Sequence, residues 1–200
     1  MTIRHLFATP FYQSDLADPG LLADLVHSCR VLSKDDAAGR RWSRDNHYPG
    51  YTSYASLDDL PRRDPSFAAL GRKLVKHAAQ FAAAAHMDLG GSKPRLDSIW
   101  VNILKPGGGH SGHIHPHSII SGTLYLEVPE GGAPLRLEDP RLPLMMAAPT
   151  RHEDAPEEAR PFVLMQPQAG SIFLWESWLR HEVVAGHGKG ERLSISFNFA

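Results

Sequence analysis

In HIHPHS, residues 113–118, three histidines fall at every second position directly behind GGGHSG. Imidazole is a common ligand for zinc, copper, iron and nickel, so this density of imidazole points first to a metal centre. On a strand, side chains at i and i+2 leave the same face, which would project His113 and His115 toward a common point. The third ligand must come from elsewhere, and His181, after SIFLWESWL and at the head of HEVVAG, is the best candidate. Two neighbouring ligands and one distant one hold one face of a metal and leave other positions open to substrates, the layout of a nonheme iron site. His110 reads as a neighbour of the metal or an exposed residue, and so does His117, although it shares the parity of the pair. His5, His27, His47, His77, His86, His152 and His187 carry no pattern that sets them apart from surface histidines. Glu176 and Asp97 are the weak carboxylate candidates.

Something has to position these side chains. Residues 3–8, IRHLFA, have the composition of a short strand, and Asp18-Pro19 opens a helix whose stripe is Leu21, Leu22, Leu25, Val26 and Cys29. Residues 33–63 mix charge, Gly, Ser, Pro and aromatics and read as a loop that packs on something. Asp64-Pro65 starts a longer helix, with Phe67, Leu70, Leu74, Ala78, Phe81 and Ala85 at helical spacing before Gly90-Gly91. From residue 94 the period becomes two. LDSIWVNIL, IISGTLYLEV, APLRLE, FVLMQ, SIFLWE, HEVVAG and RLSISFNFA read as short strands, about eight in all with the histidine segment. Helices followed by strands predict a mainly β chain, an antiparallel sandwich or barrel buttressed by helices. The expectation is a single domain over 1–200, with helical support over about 15–90 and a β core over about 94–200. Segment 139–161 is long and Pro-rich and reads as a flap. Trp100, Trp175 and Trp178 read as core or rim residues.

Composition removes several classes of function. The 21 basic and 22 acidic residues nearly cancel, so the field that a nucleic-acid or anionic-membrane partner calls for is missing. Cys29 is the only cysteine, which rules out an internal disulfide and a thiolate zinc cluster and leaves His, Asp and Glu as metal ligands. The N-terminal segment lacks the pattern of a signal peptide, and no apolar run approaches the roughly 18 residues of a membrane helix. The expectation is a cytoplasmic protein of unassigned oligomeric state whose partner is a small molecule or a protein side chain.

The ordered series WVNILKPGGGHSGHIHPHSIISGTLYLEVP, DPR and QPQAGSIFLWESWLRHEVVAGHGKGERLSISFN resembles the 2-oxoglutarate and iron(II)-dependent oxygenase family that shares W-x-N, H-x-H-P, S-G-x-x-Y, S-W-L-x-H and R-x-S-x-S-F-N. GYTSYASL resembles an upstream segment of the same family, so the likeness covers about 45–199. It implies a double-stranded β-helix, a jelly-roll holding Fe(II) at its open end, with 2-oxoglutarate and dioxygen as co-substrates. His113 matches the first ligand and His181 the distal one. His115 falls where most of the wider superfamily carries Asp or Glu, which would leave the metal one charge more positive, or would leave water or His117 to complete the site. Arg192 matches a basic residue that takes the distal carboxylate of 2-oxoglutarate, a task for which a planar guanidinium is well shaped. Ser194 shares its face, and Asn102 and Tyr125 are further candidates for the co-substrate. Tyr48, Tyr51 and Tyr54, the flap after Asp139, Arg141 and Arg44 are candidates for bordering the substrate pocket.

Two other readings stay open at this level. Gly107 and the His113–His115 pair imitate a first cupin motif, but the expected glutamate falls on Ile119 or Ile120, and His181 lies too far from Gly170 for the second motif. A non-catalytic jelly-roll binding module with incidental histidines is the other.

Overall fold

A computed structural model describes residues 2–4, 6–141 and 147–200. The first strand is β1, Phe11–Asp15, not residues 3–8. Ile3, Leu6 and Phe7 are exposed, and the chain joins a sheet only after Pro10, where Phe11 to Asp15 pair with Trp175 to Ser171. His5 lies outside the described residues. Helix α1, Pro19–Asp35, starts where Asp18 accepts from the Leu21 amide at 3.1 Å, and it buries Leu21, Leu25 and Cys29. Helix α4, Pro65–Ala84, starts likewise on Asp64 and buries Phe67, Leu70, Leu74, Ala78 and Phe81. It ends before Gly90-Gly91, which lie at positive φ in the following turn.

The expected loop over 33–63 holds three elements, namely α2 (Ala37–Asp45), β2 (Gly50–Thr52) and α3 (Leu60–Arg63). Asp36 ties the first two together, accepting from the Gly39 amide, the Tyr51 hydroxyl and the Ser56 hydroxyl. One carboxylate therefore caps α2 and ties down β2 itself and the turn that follows it, a long-range role that no local propensity signals.

The remaining strands are β3 (Leu96–Leu104), β4 (His110–His113), β5 (Ile120–Glu127), β6 (Leu135–Glu138), β7 (Phe162–Met165), β8 (Ser171–Glu176), β9 (His181–Val183) and β10 (Arg192–Phe199). They form a six-stranded sheet in the order β1-β8-β5-β10-β3-β2 and a four-stranded sheet in the order β4-β9-β6-β7. From β3 to β10 the chain moves back and forth between the two antiparallel sheets, the winding of a double-stranded β-helix.

The period-two sequences give the large sheet two chemically different faces. Ile99, Val101 and Ile103 of β3, Leu124 and Leu126 of β5, and Leu193, Ile195, Phe197 and Phe199 of β10 pack with the stripes of α1 and α4. The alternate residues Trp100, Asn102, Thr123, Tyr125, Arg192, Ser194, Ser196 and Asn198 turn the other way and line a cavity. Gly122 sits where β8 and β10 close on β5. A Cβ there would lie 2.5 Å from Leu174 and Phe197 side-chain atoms and 2.6 Å from the Phe173 carbonyl oxygen. Gly122→Ala is therefore expected to cost about 1–3 kcal/mol, read as a lower urea midpoint with an unchanged slope.

Candidate metal centre

The cavity has a volume of about 400 Å³, within the range of small-molecule sites. His113, His115 and His181 meet in it, with one nitrogen of each ring within 4.8 Å of the others. His113 ends β4 and is paired in register with His181, which starts β9. The expected i, i+2 strand geometry does not hold for the pair. β4 stops at His113, and His115 lies beyond it, held by its amide on the Ser177 carbonyl at 3.0 Å. His117 sits at φ 71° in the turn that follows, outside the cluster, so its shared parity with the pair carries no meaning.

Hydrogen bonds on Nδ1 set the tautomers. His113 Nδ1 donates to the Ser111 carbonyl at 2.7 Å and His181 Nδ1 to the Leu179 carbonyl at 2.9 Å. His115 Nδ1 donates to Asn198 Oδ1 at 2.6 Å. Each ring therefore carries its proton on Nδ1 and has a lone pair on Nε2 for a metal. Burial, reinforced by the His113 ring, lowers His181 to about 3. Burial also lowers His115, against the upward pull of its bond to Asn198. Both rings are neutral at neutral pH, the state a metal requires.

The cavity wall explains the rest of the expectations. Asn102, Ser194 and Tyr125 form one row across β3, β10 and β5, since Ser194 is opposite both of the others. Arg192 is buried at 5% exposure, its guanidinium stands 4.8 Å over the Tyr125 ring, and no Asp or Glu among the described residues lines the cavity. Arg192 Nε and the fully buried Tyr125 hydroxyl have no hydrogen-bond partner among the described residues. Asn102 is already engaged, accepting from Thr52 and Tyr48 and donating to Ser196. A buried cation and hydroxyl without partners cost several kcal/mol unless an anionic ligand completes them. The donor set thus fits a metal, and the orphaned polar atoms fit a carboxylate beside it.

Residues 98–198 match the protein family described as "Putative 2OG-Fe(II) oxygenase". The chain belongs to this family. The oxygenase is accordingly an iron(II)- and 2-oxoglutarate-dependent oxidoreductase, which sets aside the cupin-type and non-catalytic readings. No curated protein matches its sequence. Among solved structures, the oxygenase is similar to the non-heme alpha-ketoglutarate-dependent epimerase SnoN of nogalamycin biosynthesis, at a TM-score of 0.66 and 16% identity over 96% of this chain and 78% of SnoN. A Pseudomonas putida prolyl-4-hydroxylase matches at a TM-score of 0.57 and 16% identity over 96% and 92%. An oxidoreductase of the 2OG-Fe(II) oxygenase family from Burkholderia pseudomallei matches at a TM-score of 0.49 and 14% identity. That match covers 68% of this chain and 57% of the Burkholderia chain. At these identities the likeness to SnoN and to the prolyl-4-hydroxylase establishes the double-stranded β-helix and nothing finer.

Several residues of the oxygenase sit differently from their sequence reading. His110 lines the cavity with Nε2 buried and unpaired, because a bulge in β4 sets His110 opposite Val183 and His113 opposite His181. Burial lowers it to about 4. Trp175 is both core and wall, 1% exposed and 4.7 Å from the His181 ring. Trp100 likewise joins Tyr54 at 5.3 Å to His115 at 5.9 Å, centroid to centroid. Trp42 of α2, one of the aromatics of the 33–63 segment, lines the cavity. Tyr48 and Tyr54 line it, whereas Tyr51 turns into the helix-facing core. Neither Arg44 nor Arg141 reaches it, being paired with Asp45 and Asp139. The described part of 139–161 contributes no lining residue, and 142–146 of the expected flap lie outside the described residues. Glu176 accepts from the Trp178 indole, and Asp97 pairs with Arg95. No helix is long and apolar enough to cross a membrane among the described residues.

Proposed function

We propose that His113, His115 and His181 hold iron(II) through Nε2 and that Arg192, Ser194 and Tyr125 take the distal carboxylate of 2-oxoglutarate, in an enzyme that hydroxylates a small molecule or a protein side chain. When bound, the two groups couple oxidative decarboxylation of 2-oxoglutarate to succinate and CO2 with insertion of one atom of dioxygen into a substrate C–H bond. The chain's own residues bind, orient and exclude water. Three neutral imidazoles offer lone pairs from one side. Arg192 supplies the positive charge for the carboxylate, and the Tyr125 and Ser194 hydroxyls donate beside it. The wall of Tyr54, Trp100 and Ile114 runs from exposed to buried and gives the substrate an apolar approach to the histidines. The observation that carries this reading is a buried arginine without an acidic lining partner in the same cavity as three converging histidines.

Anaerobic titration with iron(II) and 2-oxoglutarate tests it. A visible charge-transfer band is expected only when both are present, and succinate is expected on admission of air. Absence of both overturns the reading. Tyr125→Phe gives a finer test, since it removes an orphaned buried hydroxyl and keeps the ring under Arg192. Unfolding of the ligand-free protein should be unchanged or shifted to higher urea, while 2-oxoglutarate binding weakens by about 1 kcal/mol, measured by calorimetry.

A further inference from the structure

The three histidines are not held alike. His113 and His181 each donate Nδ1–H to a main-chain carbonyl two residues earlier. His115, past the end of its strand, donates instead to a side chain of β10, Asn198 Oδ1, at 2.6 Å. That amide is itself oriented from both ends. Its Oδ1 also accepts from Ser121 Oγ at 2.9 Å, Ser121 contacts Ser177 Oγ at 2.7 Å, and its Nδ2 donates to Ser98 Oγ at 3.1 Å. Asn198 is 8% exposed and both serines 121 and 177 are fully buried, so this chain has little freedom to rearrange. A main-chain carbonyl is available whatever the side chains are. The support of His115 depends instead on replaceable side chains, Asn198 at 2.6 Å and the Ser121 hydroxyl at 3.0 Å from the same Nδ1.

We infer that Asn198 is the positioning residue of this centre, fixing the Nδ1–H tautomer and ring orientation of His115 so that a neutral imidazole serves where a carboxylate is usual. The inference rests on the reading of His115 as a metal ligand. Its consequence is electrostatic as well as geometric. A carboxylate in place of the amide would accept the same hydrogen bond and make the imidazole a more basic donor, whereas the amide leaves the ring uncharged. No Asp or Glu among the described residues lines the cavity, and Asn198, in direct hydrogen-bond contact with His115, is a position through which a single substitution can add negative charge beside the ligand set without replacing a ligand.

The test is titration of the metal-free protein with cobalt(II), followed by its visible absorption, and with iron(II) under nitrogen. Asn198→Asp is expected to tighten binding about ten-fold and Asn198→Leu to weaken it about 10–100-fold. Ser121→Ala, which removes one donor that orients Oδ1 and the hydroxyl 3.0 Å from His115 Nδ1, should weaken binding several-fold. Melting of each metal-free variant is recorded alongside. A purely structural role predicts that both Asn198 variants lose affinity in step with melting temperature, and that result overturns the inference. So does unchanged affinity in both variants while His115→Ala still loses metal. If Asn198→Leu does not fold, the opposite signs expected for Asn198→Asp and Ser121→Ala decide. Undiminished binding in His115→Ala overturns the ligand reading itself and the inference with it.

Discussion

Replacing His181 by alanine is expected to abolish iron retention, with metal affinity falling by more than the 10–100-fold typical of substitutions behind a ligand. His181 is buried, its Nδ1 is tied to the Leu179 carbonyl, and its ring faces that of His113 at 4.4 Å between centroids. Among the described residues, no acidic side chain lines the cavity to replace it. The loss of a buried ring packed on Trp175 also costs stability, so metal content is read together with a melting curve of the metal-free protein. His113→Ala is expected to behave in the same way. His77→Ala should retain iron, since His77 sits on α4 bonded to Tyr12. Equal iron content in all three variants would refute the centre as drawn.

Arg192→Ala is expected to weaken 2-oxoglutarate binding by about 1.5–3 kcal/mol, roughly 10- to 150-fold, without lowering the stability of the ligand-free protein. The two halves have one cause. Arg192 is a buried cation with no acidic residue in its cavity, so its desolvation is not repaid until an anion arrives. Removing it therefore relieves the empty protein while it disables the liganded one. Arg192→Lys should recover only part of the affinity, since an ammonium group lacks the planar fork and stacks less well over the Tyr125 ring. Calorimetry under anaerobic conditions reads the first half and urea unfolding the second. An affinity unchanged in Arg192→Ala would move the co-substrate elsewhere in the cavity.

Where the sequence is periodic, its reading of the fold agrees with the structure. The strands from 96 to 199 and the helices beginning at Pro19 and Pro65 are visible because alternation and helical stripes follow directly from burying one face. The face-sharing of Arg192 and Ser194 is legible for the same reason. The misses lie where long-range contacts override local pattern. Asp36 gathers α2 and β2 from a stretch that reads as loop, and β4 stops at His113, so His115 does not share the strand geometry expected of the pair. The N-terminal strand is shifted from 3–8 to Phe11–Asp15 because pairing with β8, not local apolar content, selects it.

The residue types by themselves determined the chemistry available to this protein: imidazole without thiolate, near-zero net charge, and an arginine, Arg192, opening the last alternating strand. Tertiary structure decided which imidazoles converge. His115 reaches the cluster through an amide 83 residues away in sequence, and His117, two residues further on, is turned aside by a left-handed turn. Spacing along a chain constrains direction only while the strand lasts. Beyond its end, the position of a side chain is set by whichever distant partner satisfies its hydrogen bonds, and for His115 that partner is on β10.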